Sequence, residues 1–338
     1  MNTQAQLSTR FLVAMKTPSP SWFMKALKRF PKSHLKRHVA MTFALSTAIA
    51  VSATEFGQAF PTPEAAVAAL VSAAGAADTN AFRIIFGPAS AELQNPDRVQ
   101  AANELSAFTA AVSQHQRLVH ESDATCVLEI GTNVWPFPIP IVMRNGQWFF
   151  DTAAGKNEIL NRRIGKNELA TLQSVRGYVE AQREYASKDR DGDEVLEYAQ
   201  KIVSSAGAKD GLFWSPQMDG EISPLGPLAA DAAAEGYGKK TNVVRGELQP
   251  FHGYFFKVLT RQAKSASGGS YAYVINGNMI GGFALVAWPA EYGESGIMTF
   301  IVNQQGRVYQ KDLGLKTAGL AGAIRTYDPD KSWSLSAD

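Results

Sequence analysis

The stretch KNEILNRRIGKNELATLQSVRGYVEAQREYA, residues 156–186, decides the fold. Ile159, Leu160, Ile164, Leu169, Leu172, Val175, Val179 and Tyr185 recur at helical spacing, while Arg176, Glu180, Arg183 and Glu184 make one side polar. The pattern predicts a long amphipathic helix. Gly165 is expected to break it, because an interior glycine costs about 1 kcal/mol relative to alanine. The break supplies a boundary between a first unit, residues 54–165, and a second, residues 166–338.

Downstream of the helix, four runs read as strands: GYFFKVLTRQ (253–262), IGGFALVAWP (280–289), SGIMTFIVN (295–303) and GRVYQKDLG (306–314). Gln305-Gly306 makes the last two a hairpin, and runs of this kind form an antiparallel sheet. Between helix and sheet, glycine, proline and alanine dominate, with a helix expected in SPLGPLAADAAAEG after Ser223. A long helix packed on a four-stranded antiparallel sheet makes the second unit α+β.

The first unit also reads as α+β. PTPEAAVAALVSAAGA (61–76) offers Thr62 as an N-cap, Pro63 at the first helical position and Glu64 at the positive helix end. NPDRVQAANELSAFTAAVSQHQ (95–116) repeats the device with Asn95 and Pro96. ATCVLEIG (124–131) reads as a strand. In IVMRNGQWFFDT (141–152), Asn145-Gly146 between apolar runs predicts a curved hairpin with a type I′ turn. Upstream, WPFPIPIV (135–142) spaces three prolines two apart, so their missing N–H groups fall on one side. This predicts an edge strand blocked against further pairing, or alternatively a polyproline segment offered for docking.

The ends bound where the protein works. Residues 1–53 hold eight Lys or Arg, no Asp or Glu, and end in the 15-residue apolar run VAMTFALSTAIAVSA. That reads as a secretory signal peptide with cleavage expected after Ala53, an uncleaved anchor being the alternative, and Met24 would give a start of more ordinary length. The run falls short of the roughly 20 residues of a spanning helix, so no stable membrane span is expected after cleavage. The expected location is periplasmic or extracellular. Without the signal, 25 basic residues face 31 acidic ones, a net of −6. A nucleic-acid partner therefore loses its electrostatic support. Cys126, the only cysteine, rules out an internal disulfide and reads as an inert buried thiol.

Chemistry has few places to sit. The sequence holds no H-E-x-x-H, no G-x-S-x-G and no complete phosphate loop, since GYGKKT (236–241) lacks the required glycine spacing. His34 and His38 leave with the signal. His115 and His120, five apart, do not share a helical face, and His252 in PFHGYFF has no identifiable nucleophile as partner. The richest stretch is ASKDRDGDEVLEYAQK (186–201), where Asp189, Asp191, Asp193 and Glu194 surround Gly192. Two readings compete there. One is a loop giving calcium, the cofactor such carboxylates would take, its oxygen ligands, though neither register of the helix-loop-helix pattern is complete. The other is a cap for a short helix over about 193–204. Aromatic residues in DGLFWSP (210–216) and VAWPAEYGES (286–295), namely Phe213, Trp214, Trp288 and Tyr292, are either core or anchors for a protein partner.

The segments GKNELATLQSVRGYVEAQREYA, DGDEVLEYAQKIVSSAGAKDGLFW, PFHGYFFKVLTRQ and GGFALVAWPAEYGESGIMTFIVNQQGRVYQKDLG resemble an uncharacterised family of exported bacterial proteins, domain of unknown function 2950. That resemblance implies no activity. The second half is also similar to the globular head of type IV pilins and pseudopilins, which implies a long helix on an antiparallel sheet. The polar side of residues 176–184 departs from the apolar fibre-forming helix of those proteins. The first half is weakly similar to NTF2-like or cystatin-like domains. The expectation is an exported binding or assembly module of the cell envelope, with an envelope protein as partner. The alternative is a periplasmic hydrolase using His252 and carboxylates between the halves.

Overall fold

A computed structural model describes residues 56–215, 220–237 and 250–336. The signal-peptide reading of residues 1–53 lies outside these. The fold is α+β, with helices set against antiparallel sheets.

Three helices open the described chain: α1 (Pro63–Gly75), α2 (Thr79–Phe86) and α3 (Arg98–Gln114). Thr62 caps α1 as expected, its hydroxyl accepting from the Ala65 amide at 3.2 Å. The cap of α3 is Asp97 rather than Asn95, whose Oδ1 instead accepts from the Asp97 amide at 3.0 Å. Five strands follow: β1 (Gln116–Ser122), β2 (Thr125–Ile130), β3 (Trp135–Pro136), β4 (Ile141–Arg144) and β5 (Gln147–Phe150). The β4–β5 hairpin turns at Asn145-Gly146, with φ of +52° and +79°.

The proline segment is not the expected edge strand. In the sheet order β1-β2-β4-β5, β4 is internal, and β3 and β4 both pair with β2. Cys126 opposes Ile141 and Glu129 opposes Pro136, so residues 137–140 face only two residues of β2. Prolines that cannot donate are gathered in this bulge, which turns Ile139 into the core. Leu70, Leu128, Ile130, Ile141 and Phe150 complete that first core.

The helix α4 (Thr152–Tyr185) then runs unbroken for 34 residues. The expected break at Gly165 is absent because α4 is held along its length from both halves. Ile159 packs on the first core, and Leu172, Val175, Tyr178 and Val179 on the second. Against that burial, a glycine penalty of about 1 kcal/mol is small. Near its start α4 lies so close to the bulge that a side chain at Gly155 would meet the Ile139 Cα at 2.9 Å.

After α4 the chain is not helical over 193–204, which corrects the sequence reading. Buried Gln182 explains the difference: its Oε1 accepts from the Ala199 amide and its Nε2 donates to the Ala199 carbonyl, both at 2.8 Å. This pairs the segment as a strand would be paired, so tertiary contacts override local helix propensity. Next come α5 (Gly226–Glu235), β6 (Tyr254–Leu259), the two-residue strands β7 (Arg261–Gln262), β8 (Tyr271–Ala272), β9 (Val274–Ile275) and β10 (Asn278–Met279), then β11 (Ala284–Pro289), β12 (Met298–Asn303) and β13 (Tyr309–Asp312). α6 (Thr317–Ala323) and β14 (Ser334–Leu335) end the described chain. All four strands expected in the main sheet are present, and β14 adds a fifth in the order β14-β13-β12-β11-β6. Every residue of β11 is buried, as a strand with α4 and α6 packed against it must be.

Candidate functional site

The acidic turn begins where α4 ends. Arg190 points inward with its side chain 4% exposed, its guanidinium 5.2 Å from the Trp214 ring and its NH1 donating to Glu221 at 2.6 Å. This anchor leaves the residues on either side facing solvent. One oxygen from each of Asp189, Asp191 and Asp193 lies within 4.8 Å of the others. Asp189 accepts from the amides of Gly192 at 2.7 Å and Glu194 at 3.0 Å, which hold its carboxyl below the usual range. Asp193 accepts from the Val195 amide and from Asn278 Nδ2. Asp191 moves the other way: loss of hydration and then the nearby Asp193 carboxylate push its carboxyl up.

The helix-cap reading of this turn fails because no helix follows it. The carboxylates stabilise the turn itself. Glu194, with φ +65°, takes the left-handed conformation that the sixth position of a helix-loop-helix calcium loop gives to glycine. Its amide is held by Asp189, and its side chain is not part of the three-carboxylate group.

A second polar constellation joins the two halves. Asp97 Oδ1 accepts from the amides of Val99 at 3.1 Å and Gln100 at 3.0 Å, capping α3. Its Oδ2 accepts from the Tyr237 hydroxyl at 2.7 Å and the Gly253 amide at 3.2 Å. Gln100 Nε2 donates to Asn167 Oδ1 at 2.7 Å, and Asn167 Nδ2 donates to the Ser295 carbonyl at 2.9 Å. Asp97, Gln100, Asn167 and Ser295 are all buried. Immediately after Asn167 on α4, Glu168 accepts from the amides of Ile297 and Met298. These residues come from α3, α4 and loops of the second half, so the spacing of no single motif announces them.

His252 belongs to this joint. Phe251 and Tyr254 exchange both backbone hydrogen bonds, at 2.9 and 3.1 Å, across a turn in which His252 and Gly253 have φ of +49° and +73°. The pair His-Gly thus does what Asn-Gly does in β4–β5, a signal present in the sequence and read there only as a lone histidine. His252 Nε2 lies 3.4 Å from Glu235 Oε2. Burial lowers the imidazole's affinity for protons, with Asp97 opposing that effect and Lys166 adding to it. Burial and the Asp97 carboxylate both push the Tyr237 phenol up. The nearby Ser295 hydroxyl closes its own turn with the amide and carbonyl of Glu291.

The other sequence candidates are dispersed. Trp214 is 3% exposed and its Nε1 donates to the Glu221 carbonyl at 3.2 Å. Trp288 is 7% exposed and packs on Phe255. Phe213 and Tyr292 are half-buried, and the Tyr292 hydroxyl donates to Asp312. No ring contact joins the Phe213 and Trp214 pair to Trp288 or Tyr292 among the described residues. Cys126 is fully buried, its thiol pushed up by burial, with Sγ 3.2 Å from His120 Nδ1. His115 ends α3 and His120 lies on β1.

No described helix is long and apolar enough to cross a membrane. Neither a curated protein nor a solved structure matches the chain. Residues 57–335 match a family described as a protein of unknown function, DUF2950, and the match takes in both halves, the joint and the acidic turn. The chain belongs to the DUF2950 family.

Proposed function

We propose that this chain is an exported binding or assembly module of the cell envelope, with its polar junction acting as a joint rather than a catalytic centre. The observation that carries this reading is Asp97. Its two oxygens take four donors from three parts of the chain. A carboxylate so used fixes geometry, and has no lone pair left to orient a general base. The periplasmic-hydrolase alternative needs His252 and a carboxylate to work on a substrate, whereas here His252 serves as a turn residue. Export rests on the composition of residues 1–53. The pilin-like description of the second half is part of the same proposal, supported by α4 lying against β11 and β12.

The test is the stability of Asp97→Ala. Joints lose stability when cut, while residues held in strained catalytic arrangements often gain it when replaced. The joint reading expects a loss of about 2–3 kcal/mol, the penalty for leaving buried donors unsatisfied. An unchanged or raised melting temperature would return Asp97 and His252 to a catalytic role.

A second reading concerns the same protein without competing. The convergence of Asp189, Asp191 and Asp193 favours calcium binding in the acidic turn. With a dissociation constant of about 0.5 mM, in the range of extracellular calcium modules, about 5 mM calcium would stabilise the fold by roughly 1.4 kcal/mol. A calcium-dependent shift in melting temperature that vanishes in Asp191→Ala supports it. No shift in either protein contradicts it.

A further inference from the structure

A groove of about 330 Å³ lies between β6 and the end of α6, and both of its charged side chains, Lys257 and Arg325, are cationic. Lys257 Nζ donates to the Gly322 carbonyl at 2.7 Å, and Arg325 NH1 donates to the same oxygen at 2.6 Å. Arg325 also reaches the Ile324 carbonyl at 3.3 Å. Neither cation has a carboxylate within ion-pair distance among the described residues, although surface cations elsewhere in the chain, such as Arg117 and Lys201, do. Burial, and then the Arg325 charge, lower the Lys257 ammonium's hold on its proton. Two like charges sharing one neutral carbonyl are a standing repulsion that an anion would relieve.

The remaining wall is apolar. Trp288 lines the groove with its ring centroid 5.8 Å from Lys257 Nζ, and Ile324 faces the same space. Phe255 backs Trp288 at 5.8 Å, which fixes the indole plane. An exposed guanidinium offers paired, planar donors suited to a carboxylate, and an aromatic wall suits a flat or aliphatic body.

We propose that this groove binds a small organic anion, a carboxylate carried on an apolar or aromatic body, held by Lys257 and Arg325 against Trp288. The site is separate from the joint and the acidic turn, and stands whether or not either of those readings holds.

The test follows the Trp288 indole N–H resonance by nuclear magnetic resonance during titration with three probes. Phenylacetate carries both features, benzyl alcohol the body without the charge, and acetate the charge without the body. The expected result is saturable binding of phenylacetate in the millimolar range, at least about fivefold tighter than either other probe. Arg325→Gln, at an exposed position, is expected to abolish that preference, and Lys257→Met to do the same. Equal binding of benzyl alcohol, equal binding of acetate, absence of saturation by phenylacetate, or an unchanged preference in Arg325→Gln would each overturn the proposal.

Discussion

Two hairpin turns with nearly the same backbone dihedrals sit in opposite surroundings, and a third, Asn276-Gly277, closes the short β9–β10 pair. Asn145-Gly146 has φ of +52° and +79°, and His252-Gly253 has +49° and +73°. A side chain added at Gly146 would meet nothing within 4 Å, whereas one at Gly253 would lie 2.5 Å from Asn167 Nδ2 and 3.0 Å from Ser295 Cβ. The first turn only connects two strands. The second brings the Gly253 amide to Asp97 and lets α4 approach, so the same local geometry becomes a point of contact between the halves. Backbone conformation alone does not tell a connector from a joint; what surrounds the glycine does.

The comparison can be broken most forcefully at Gly253. Gly253→Ala combines left-handed backbone strain with a clash against a buried amide, and is expected to destabilise by about 3 kcal/mol in denaturant unfolding. Asp97→Ala should come close behind, at the 2–3 kcal/mol expected for the joint, while Gly146→Ala should lose only about 1 kcal/mol from strain alone. Equal losses at the two glycines would refute the distinction between the turns.

Smaller effects sharpen the picture. Gly165→Ala, in the middle of α4 with open space around it, should stabilise by slightly under 1 kcal/mol. A loss there would mean that α4 requires the flexibility the sequence suggested. The pH dependence is subtler still. Burial holds the folded His252 below the unfolded value of about 6.5, so protons bind the unfolded chain more readily. The neutral ring's contribution is complete above about pH 6.5 and declines as pH falls toward the folded value. His252→Asn, which tolerates the left-handed conformation, should flatten that part of the melting-temperature profile. A slope that survives the substitution would place its origin elsewhere.

The order of helices and strands was largely legible because it rests on local signals. A proline-led start signal marks α3, periodic apolar residues mark α4, Asn145-Gly146 marks the β4–β5 turn, and four apolar runs mark β6, β11, β12 and β13. The errors share a cause. Gly165 and the segment after Asp193 were judged by propensity, and both were overruled by partners distant in sequence: the two cores on α4, and Gln182 acting as a strand for Ala199. The proline segment reads in the sequence as an edge strand with one blocked edge; that residues 137–140 instead bulge between β3 and β4 depends on their pairing with β2, which no local signal shows. The site was less visible than the fold. The acidic turn could be found because its carboxylates are neighbours, whereas the joint draws on Asp97, Gln100, Asn167, Tyr237, His252 and Ser295, which only folding brings together. Lys257 and Arg325 are 65 or more residues from each other's neighbours along the chain, as the Lys257 contact to Gly322 illustrates, and nothing in their local sequence pairs them.

The central claim is that the buried polar junction makes one structural unit of the two halves. Native-state hydrogen exchange on the protein, comparing the slowest amides of β2 with those of β11, tests it directly. The account predicts the same opening free energy for both sets, falling together in Asp97→Ala; two distinct opening free energies in the unaltered protein, with only one changed by that substitution, would contradict it.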